Sequence, residues 1–170
     1  MEGLGRLFDV GLGWAPADLQ GGITGQRIAM KRGSACTILV IKAAGTAGDD
    51  PGFDLKQHTA YTGGTTADLD IVDHYYLKAN ATLLNSHTWT RVTQTAASEI
   101  ADPGGATTSA EEQQILVIEV EAEQLSAGYT HISLNADDPA NANAQYGTCI
   151  YLMHELYAHT TPANLPALLA

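Results

Sequence analysis

Residues 35–43 read ACTILVIKA, an unbroken apolar run that decides the fold class of this chain. Its β-branched side chains disfavour a helix and pack well on the pleated surface of a sheet. The stretch 45–52, GTAGDDPG, follows it with the glycine, aspartate and proline of a turn. A strand that is apolar at successive positions, rather than at every second one, is typical of burial on both faces. We therefore predict a central strand here, covered on both sides.

Two further apolar runs lie at 114–122, QILVIEVEA, and at 148–156, TCIYLMHEL. The first is ambiguous, because Ser109 and Glu112 just before it resemble a helix-capping pair. Its β-branched residues and the period-two spacing of its glutamates favour a strand instead. We predict a strand from about Gln114, followed by a short helical turn in the sequence AEQLS.

Shorter segments with strand-like patterns complete the set. In residues 53–61, Phe53 and Leu55 share one face of a strand, with Asp54 and Lys56 on the other. Similar patterns occur at 24–31, at 69–79 with a bulge, at 88–95 as an edge or half-exposed strand, and at 129–135. About eight strands at this spacing, without alternating helices, are typical of a sandwich or barrel. The sequence predicts an all-β fold, a single antiparallel β-sandwich or β-barrel of jelly-roll or immunoglobulin-like type, spanning residues 23–157.

The two ends of the chain differ from this domain. Residues 1–22 combine six glycines with isolated large apolar residues, and residues 158–170 combine two prolines with several leucines. Neither segment fits a core strand or a stable helix, so we interpret both as extended arms. Large apolar side chains on such segments indicate burial against the parent domain or a neighbour. The candidate interface residues are Leu7, Phe8, Leu12, Trp14, Leu165, Leu168 and Leu169.

Charge is distributed unevenly along the chain. Residues 1–91 carry all 8 Lys and Arg, whereas residues 92–170 carry none of them and most of the net charge of −11. A surface of this sign repels phosphate, so we expect no nucleic-acid partner. The sequence contains no apolar stretch of the length that a membrane span needs and no signal-peptide pattern. We expect a protein that has no membrane partner and is made in a cytosol.

No motif for catalysis or metal binding is complete. In HELYAH, residues 154–159, the two histidines are five positions apart, which on a helix turns them away from one another. The aspartate clusters lack the spacing of a calcium loop, and nucleophile elbows and phosphate loops are absent. Cys36 and Cys149 each lie inside an apolar run, which predicts buried free thiols. We predict no catalytic residues, no metal ligands and no cofactor, and hence a protein that is not an enzyme.

Residues 13–156 contain, in this order, GWAPADLQGG, TGQRIAMKRGSACTILVIKAAGTAGDDPGFDLKQHT, DHYYLKANATLLNSHTWTRVTQTAA and ILVIEVEAEQLSAGYTHISLNADDPANANAQYGTCIYLMHEL. On these segments, most of the chain resembles small proteins encoded beside the major capsid protein in the head modules of siphophages. The resemblance implies a decoration (cement) or minor head protein, located on the capsid exterior of a virion that assembles in the host cytoplasm. It implies the major capsid protein lattice as the partner, with neighbouring copies of the chain itself, a trimer being one option.

Two other classes of function stay open at this point. One is a different virion component, such as a tail-tube or head-completion protein. The other is a small carbohydrate-binding or hydrolytic domain, for which an aromatic content of 6% is low. Function in the preferred interpretation lies in the two arms, so deleting either is expected to leave a folded domain that no longer loads fully onto particles.

Overall fold

The computed structural model describes residues 2–48, 51–104, 111–139 and 143–168. These residues form two antiparallel sheets and two short 3₁₀ helices, at Ala122–Gln124 and Pro162–Asn164. The strands, in chain order, are β1 (Phe8–Asp18), β2 (Ile28–Ala29), β3 (Gly33–Lys42), β4 (Phe53–His58), β5 (Thr66–Asp68), β6 (Val72–Asn80), β7 (Thr90–Ala97), β8 (Glu99–Ile100), β9 (Gln113–Glu121), β10 (His131–Ala136) and β11 (Tyr146–Leu156).

The large sheet has the strand order β1-β11-β3-β9-β6-β7, and the small sheet has the order β2-β10-β4-β5, with β8 also paired to β4. The pairs are nested along the chain: β1 pairs with β11, β2 with β10, β3 with β9 and β4 with β8. The chain is therefore one long antiparallel ribbon folded over on itself, with successive pairs alternating between the sheets. Strands β6 and β7 are a hairpin added beside β9.

The two sheets pack face to face around one core. The inner face of the large sheet contributes Ile38 and Tyr151, and the small sheet contributes Leu134 and Phe53, all at most 1% exposed. The Tyr151 hydroxyl crosses the core, accepting from the Leu134 N–H at 2.9 Å. Trp14 of β1 stacks on Phe53 at 6.3 Å between ring centroids. These contacts make the fold a two-layer sandwich, and it is not a closed barrel.

The three long apolar runs form strands as predicted, namely β3, β9 and β11, and they are neighbours in the large sheet. The helical turn after β9 is confirmed at Ala122–Gln124, the bulge in β6 lies between Val72 and His74, and β7 is an edge strand. The 24–31 segment is only briefly paired, as the two-residue β2. The prediction of about eight strands was too low, because β1, β5 and β8 were not recognised.

The interpretation of residues 1–22 as an extended arm was wrong for residues 8–18. These residues form β1, which pairs with β11 over the length of both strands. The glycines that suggested an arm are needed for close packing. A Cβ atom on Gly13 would lie 2.5 Å from the Cys149 Sγ, and one on Gly11 would lie 2.7 Å from a Leu168 methyl carbon. Deleting residues 1–22 would therefore remove part of the sheet and the core residue Trp14.

The C-terminal segment also folds back onto the domain. The Ala29 N–H donates to the Leu168 carbonyl at 2.8 Å, and Arg32 Nη1 donates to the Pro166 carbonyl at 2.8 Å. Arg32 also forms an ion pair with Asp9 of β1 at 2.9 Å. This segment consequently packs against β1 and β2 of its own chain. The predicted interface residue Leu169 lies outside the described residues.

Cys36 and Cys149 are free and buried, as predicted. They belong to neighbouring strands, but the register places Cys149 opposite Val40 and Cys36 opposite Met153. This offset of four residues corresponds to about 13 Å along a strand, which is too far for a disulfide. Burial raises the pKa of both thiols, so neither is a reactive thiolate.

Candidate functional site: the outer face of the large sheet

The strands β3, β9 and β11 are covered on one face only. In β3 the inward side chains Cys36, Ile38 and Val40 are at most 1% exposed, whereas the outward side chains are not covered: Leu39 is half-buried and Ile41 is 40% exposed. The expectation that 35–43 is buried on both faces was therefore wrong. The small sheet covers the inner face, whereas the outward side chains keep part of their surface in contact with solvent.

A row of apolar side chains crosses this outer face at right angles to the strands. Leu12 of β1 lies opposite Ile150, Ile150 opposite Leu39, Leu39 opposite Val117, and Val117 opposite Tyr76 of β6. Directly opposed residues of antiparallel strands point to the same face, so the row is continuous. At about 4.8 Å per strand, it is roughly 19 Å long.

Neighbouring rows widen this row into a patch. The most exposed members on its β1 side are Phe8 at 36%, Val10 at 48% and Leu12 at 42%. Leu152 lies beside Val10, and Ile115 lies beside Ile41. A contiguous apolar patch on an otherwise polar surface marks a site of interaction with another molecule. We call this patch the docking face, and its members are Phe8, Val10, Leu12, Leu39, Ile41, Tyr76, Ile115, Val117, Ile150 and Leu152.

An open groove of ≈ 420 Å³ continues the docking face at one end. It is lined by Ile41 and Ile115 of the face together with Pro16, Leu83 and Tyr146. The Tyr146 side chain is 58% exposed. The groove gives the otherwise flat face a recess that fits a protruding apolar side chain.

Polar residues border the docking face on one side. Thr37 Oγ1 donates to Glu119 Oε2 at 2.7 Å and lies 3.1 Å from His154 Nε2. His154 Nε2 is also 3.7 Å from Glu119 Oε2, so the three side chains form one cluster. It holds Glu119 in a fixed position beside the apolar row.

The opposite border carries aromatic rings and positive charge. The Lys78 ammonium lies 4.7 Å from the centre of the Trp89 ring, a cation–π contact. Arg91 lies opposite Tyr76 in the sheet. The docking face therefore has an apolar centre and a polar, charged rim, which is the usual anatomy of a protein–protein interface.

The outer face of the small sheet has the opposite character. Lys56 is held between Asp54 and Asp68, and the buried His58 lies 2.9 Å from Thr66 Oγ1 and 2.8 Å from Ser133 Oγ. Burial, followed by the charge of Arg27, lowers the pKa of His58 to about 4, so the imidazole is neutral. The hydroxyl of Ser133 is not reachable, since the residue is only 1% exposed. This network stabilises the sheet and presents no apolar patch.

The predicted interface residues differ in how far their side chains are exposed. Phe8 and Leu12 lie on the docking face, and Leu7 lies beside it at 63% exposed. Trp14 and Leu168 are 4% and 8% exposed, because both pack into the core of their own chain, and they are not available to a partner. Leu165 is half-buried and packs near Gly5.

Most of the docking face was missed by sequence reasoning. Its missed members are Val10 of β1, Tyr76 of β6 and the outward residues of β3, β9 and β11, and of these strands β3 was predicted to be buried on both faces. The signal was present in the sequence, since these strands have apolar residues at the outward positions as well as at the inward ones.

The HELYAH sequence lies in β11 and the bend that follows it, so it does not form a helix. Within residues 2–48, 51–104, 111–139 and 143–168, no three His, Cys, Asp or Glu side chains are placed to hold a metal ion. Over the same ranges, no helix has the length and hydropathy needed to cross a membrane. No family model matches the chain, and neither a curated protein nor a solved structure is detectably similar to it.

Proposed function

We propose that this protein is a structural component of a tailed-phage head that decorates the capsid exterior and stabilises it by binding the major capsid protein lattice. The observation that carries the proposal is the docking face. Strands β3, β9 and β11 carry apolar side chains at outward as well as inward positions, yet the small sheet covers only their inner face. A second molecule supplies the missing cover, so the protein acts as part of an assembly.

The strand connectivity supports the same proposal. From the nested pairs β1·β11, β2·β10, β3·β9 and β4·β8, which alternate between two sheets, we infer a jelly roll to which β6 and β7 add a hairpin. Double-sheet jelly rolls occur in viral capsid and lectin domains and in cupins. The resemblance to siphophage head proteins favours the first of these settings.

Docking by this face accounts for stabilisation of a shell without any catalysis. Burying apolar surface contributes about 25 cal/mol per Å², and only the surplus over the cost of association appears as affinity. The affinity of a single contact through the docking face is modest, but a capsid presents many identical sites. A subunit that spans neighbouring capsid subunits gains further through effective concentration.

The proposal is tested by co-sedimentation of the purified protein with shells assembled from the major capsid protein of the same genome. Leu12→Asp places a charge on the docking face, where it would have to be desolvated, and is expected to weaken shell binding at least about tenfold. Tyr61→Asp is the matched control, because Tyr61 is similarly exposed, at 38%, and lies outside the docking face. Equal loading of shells by both variants would contradict the proposal.

A further inference from the structure

We propose that two copies of this chain pair along the free edge of β7, antiparallel and about a two-fold axis, so that their large sheets become one continuous sheet. The pairing itself is independent of the capsid role, whereas its consequence for docking rests on the proposed function. The edges of the two sheets differ in how they are protected against pairing with another chain.

The fold protects its other edges. In the small sheet the edge strands are very short: β2 has two residues, and β5 and β8, which share the edge of β4, have three and two. At the other end of the large sheet, the Gln26 N–H donates to the Gly13 carbonyl of β1 at 2.8 Å. Residues 165–168 also lie along β1. Short edges and covered edges are the usual protection against pairing with another chain.

Strand β7 has neither form of protection. It has eight residues and, among the described part of the chain, pairs only with β6. It contains no proline, and its one charged residue is Arg91. Of its side chains, only Val92, Gln94 and Ala97 are partly buried. An edge of this length presents a row of backbone donors and acceptors to an added strand.

The charge distribution favours a second copy as that added strand. A chain with a net charge of −11 repels itself over most of its surface, so self-association needs a locally non-acidic site. Residues 90–97, TRVTQTAA, contain no acidic residue. The adjacent strand β6 contributes Lys78 on the same side of the sheet as Arg91.

The sequence of β7 is also compatible with itself in a two-fold register. With the axis through Thr93, each Thr93 lies opposite its own copy, Arg91 lies opposite Thr95, and Val92 lies opposite Gln94. Threonine pairs across antiparallel strands are favourable, and no like charges are opposed in this register. A two-fold contact of this kind uses the same surface on both copies and closes on itself, so it gives a dimer and not a filament.

The geometry has a direct consequence for docking. A two-fold axis between paired edge strands is perpendicular to the sheet, so the outer faces of both large sheets point in the same direction. The dimer then presents two docking faces on one side. Engagement of the first raises the effective concentration of the second at neighbouring sites of a lattice.

The experiment is sedimentation velocity of the full chain over a range of concentrations. The wild type is expected to be a dimer, and Thr93→Lys is expected to weaken dimerisation more than about tenfold, because it opposes two like charges on the axis. Thr62→Lys, at an exposed loop threonine, is the control and should remain a dimer. A monomeric or trimeric wild type, or a Thr93→Lys variant that still dimerises, overturns the proposal.

A cross-linking variant tests the register and does not depend on the lysine substitution. Opposed residues of antiparallel strands have Cα atoms about 4.5–5.5 Å apart, which is within the range of a disulfide. Thr93→Cys is therefore expected to give a covalent dimer on mild oxidation, whereas Thr62→Cys should not. The native cysteines are buried and do not interfere. Failure of Thr93→Cys to cross-link in a folded protein contradicts the register.

The outcomes distinguish this inference from the proposed function. Leu12→Asp should remain a dimer and lose shell binding, whereas Thr93→Lys should bind shells as a monomer with weaker apparent affinity. A wild-type dimer that fails to bind shells contradicts the capsid role alone. A wild-type monomer that binds shells contradicts the β7 pairing alone.

Discussion

The adjacent residues Ile38 and Leu39 of β3 test whether the large sheet is covered on one face only. Ile38 points inward and is 0% exposed, whereas Leu39 points outward onto the docking face and is half-buried. Truncation of each to alanine removes a side chain of the same volume from the same strand. The backbone environment is shared, so differences between the two variants report the two faces of the sheet.

The expected magnitudes follow from burial. Ile38→Ala leaves a cavity between the sheets and should lower the free energy of unfolding by about 3–4 kcal/mol. Leu39→Ala removes a side chain that keeps part of its surface in water, so its cost should be about 1 kcal/mol. With a urea m-value of about 2 kcal/mol/M, the unfolding midpoints of the two variants should differ by roughly 1 M.

Urea unfolding followed by tryptophan fluorescence gives these values. Trp14 is 4% exposed and stacked on Phe53, so its emission changes on unfolding. Shell binding should show the reverse order: Leu39→Ala weakens it, while Ile38→Ala leaves it intact under conditions where the variant is folded. If both variants lose the same stability, the outer face has a cover within the chain. If Leu39→Ala binds shells like the wild type, the docking face is wrongly assigned.

Three further predictions concern stability and reactivity. Arg32→Ala leaves the Asp9 carboxylate, which is 8% exposed, without its ion-pair partner and should lower the free energy of unfolding in urea by about 3 kcal/mol. Adding Asp9→Asn should recover a large part of that loss. Strictly additive losses would contradict this coupling. The folded-state pKa of His58 is about 4, below the ordinary 6.5, so the unfolded chain binds more protons between these values and stability falls as the pH is lowered from 6.5 to 4. The melting temperature of His58→Gln should depend less on pH in that window than that of the wild type, and identical profiles would argue against it. Cys36 and Cys149 should react with a thiol reagent only after denaturation, and rapid labelling of the native protein would contradict their burial.

Residues 1–22 were predicted to be an extended arm because of their glycines. Glycine is disfavoured in strands by propensity alone, and residues 1–22 are rich in it. In the folded protein Gly11 and Gly13 are required because β1 packs too closely on Cys149 and Leu168 to admit a Cβ atom. Such a requirement depends on residues more than a hundred positions away, so no local pattern contains it.

The sequence could not predict which molecule covers the outer face of the large sheet. The apolar runs at 35–43, 114–122 and 148–156 correctly identify strands of the large sheet. Apolar residues at outward positions of these runs favour a cover on the outer face as well. Periodicity cannot tell whether the second cover is another layer of the same chain or a different molecule. Only the packing of one sheet on the other shows that this chain covers one face and leaves Leu39 and Ile41 uncovered.

The sequence by itself determined the all-β class, the positions of the central strands and the burial of both cysteines. These properties depend on residues close together in the chain, whose propensities and periodicity are read directly. The tertiary structure alone decided that the apparent N-terminal arm is the edge strand β1, that the strand pairs are nested, and which side of the large sheet stays open. Those properties depend on long-range pairing and on the layer that packs against each face, and neither is encoded in any single segment.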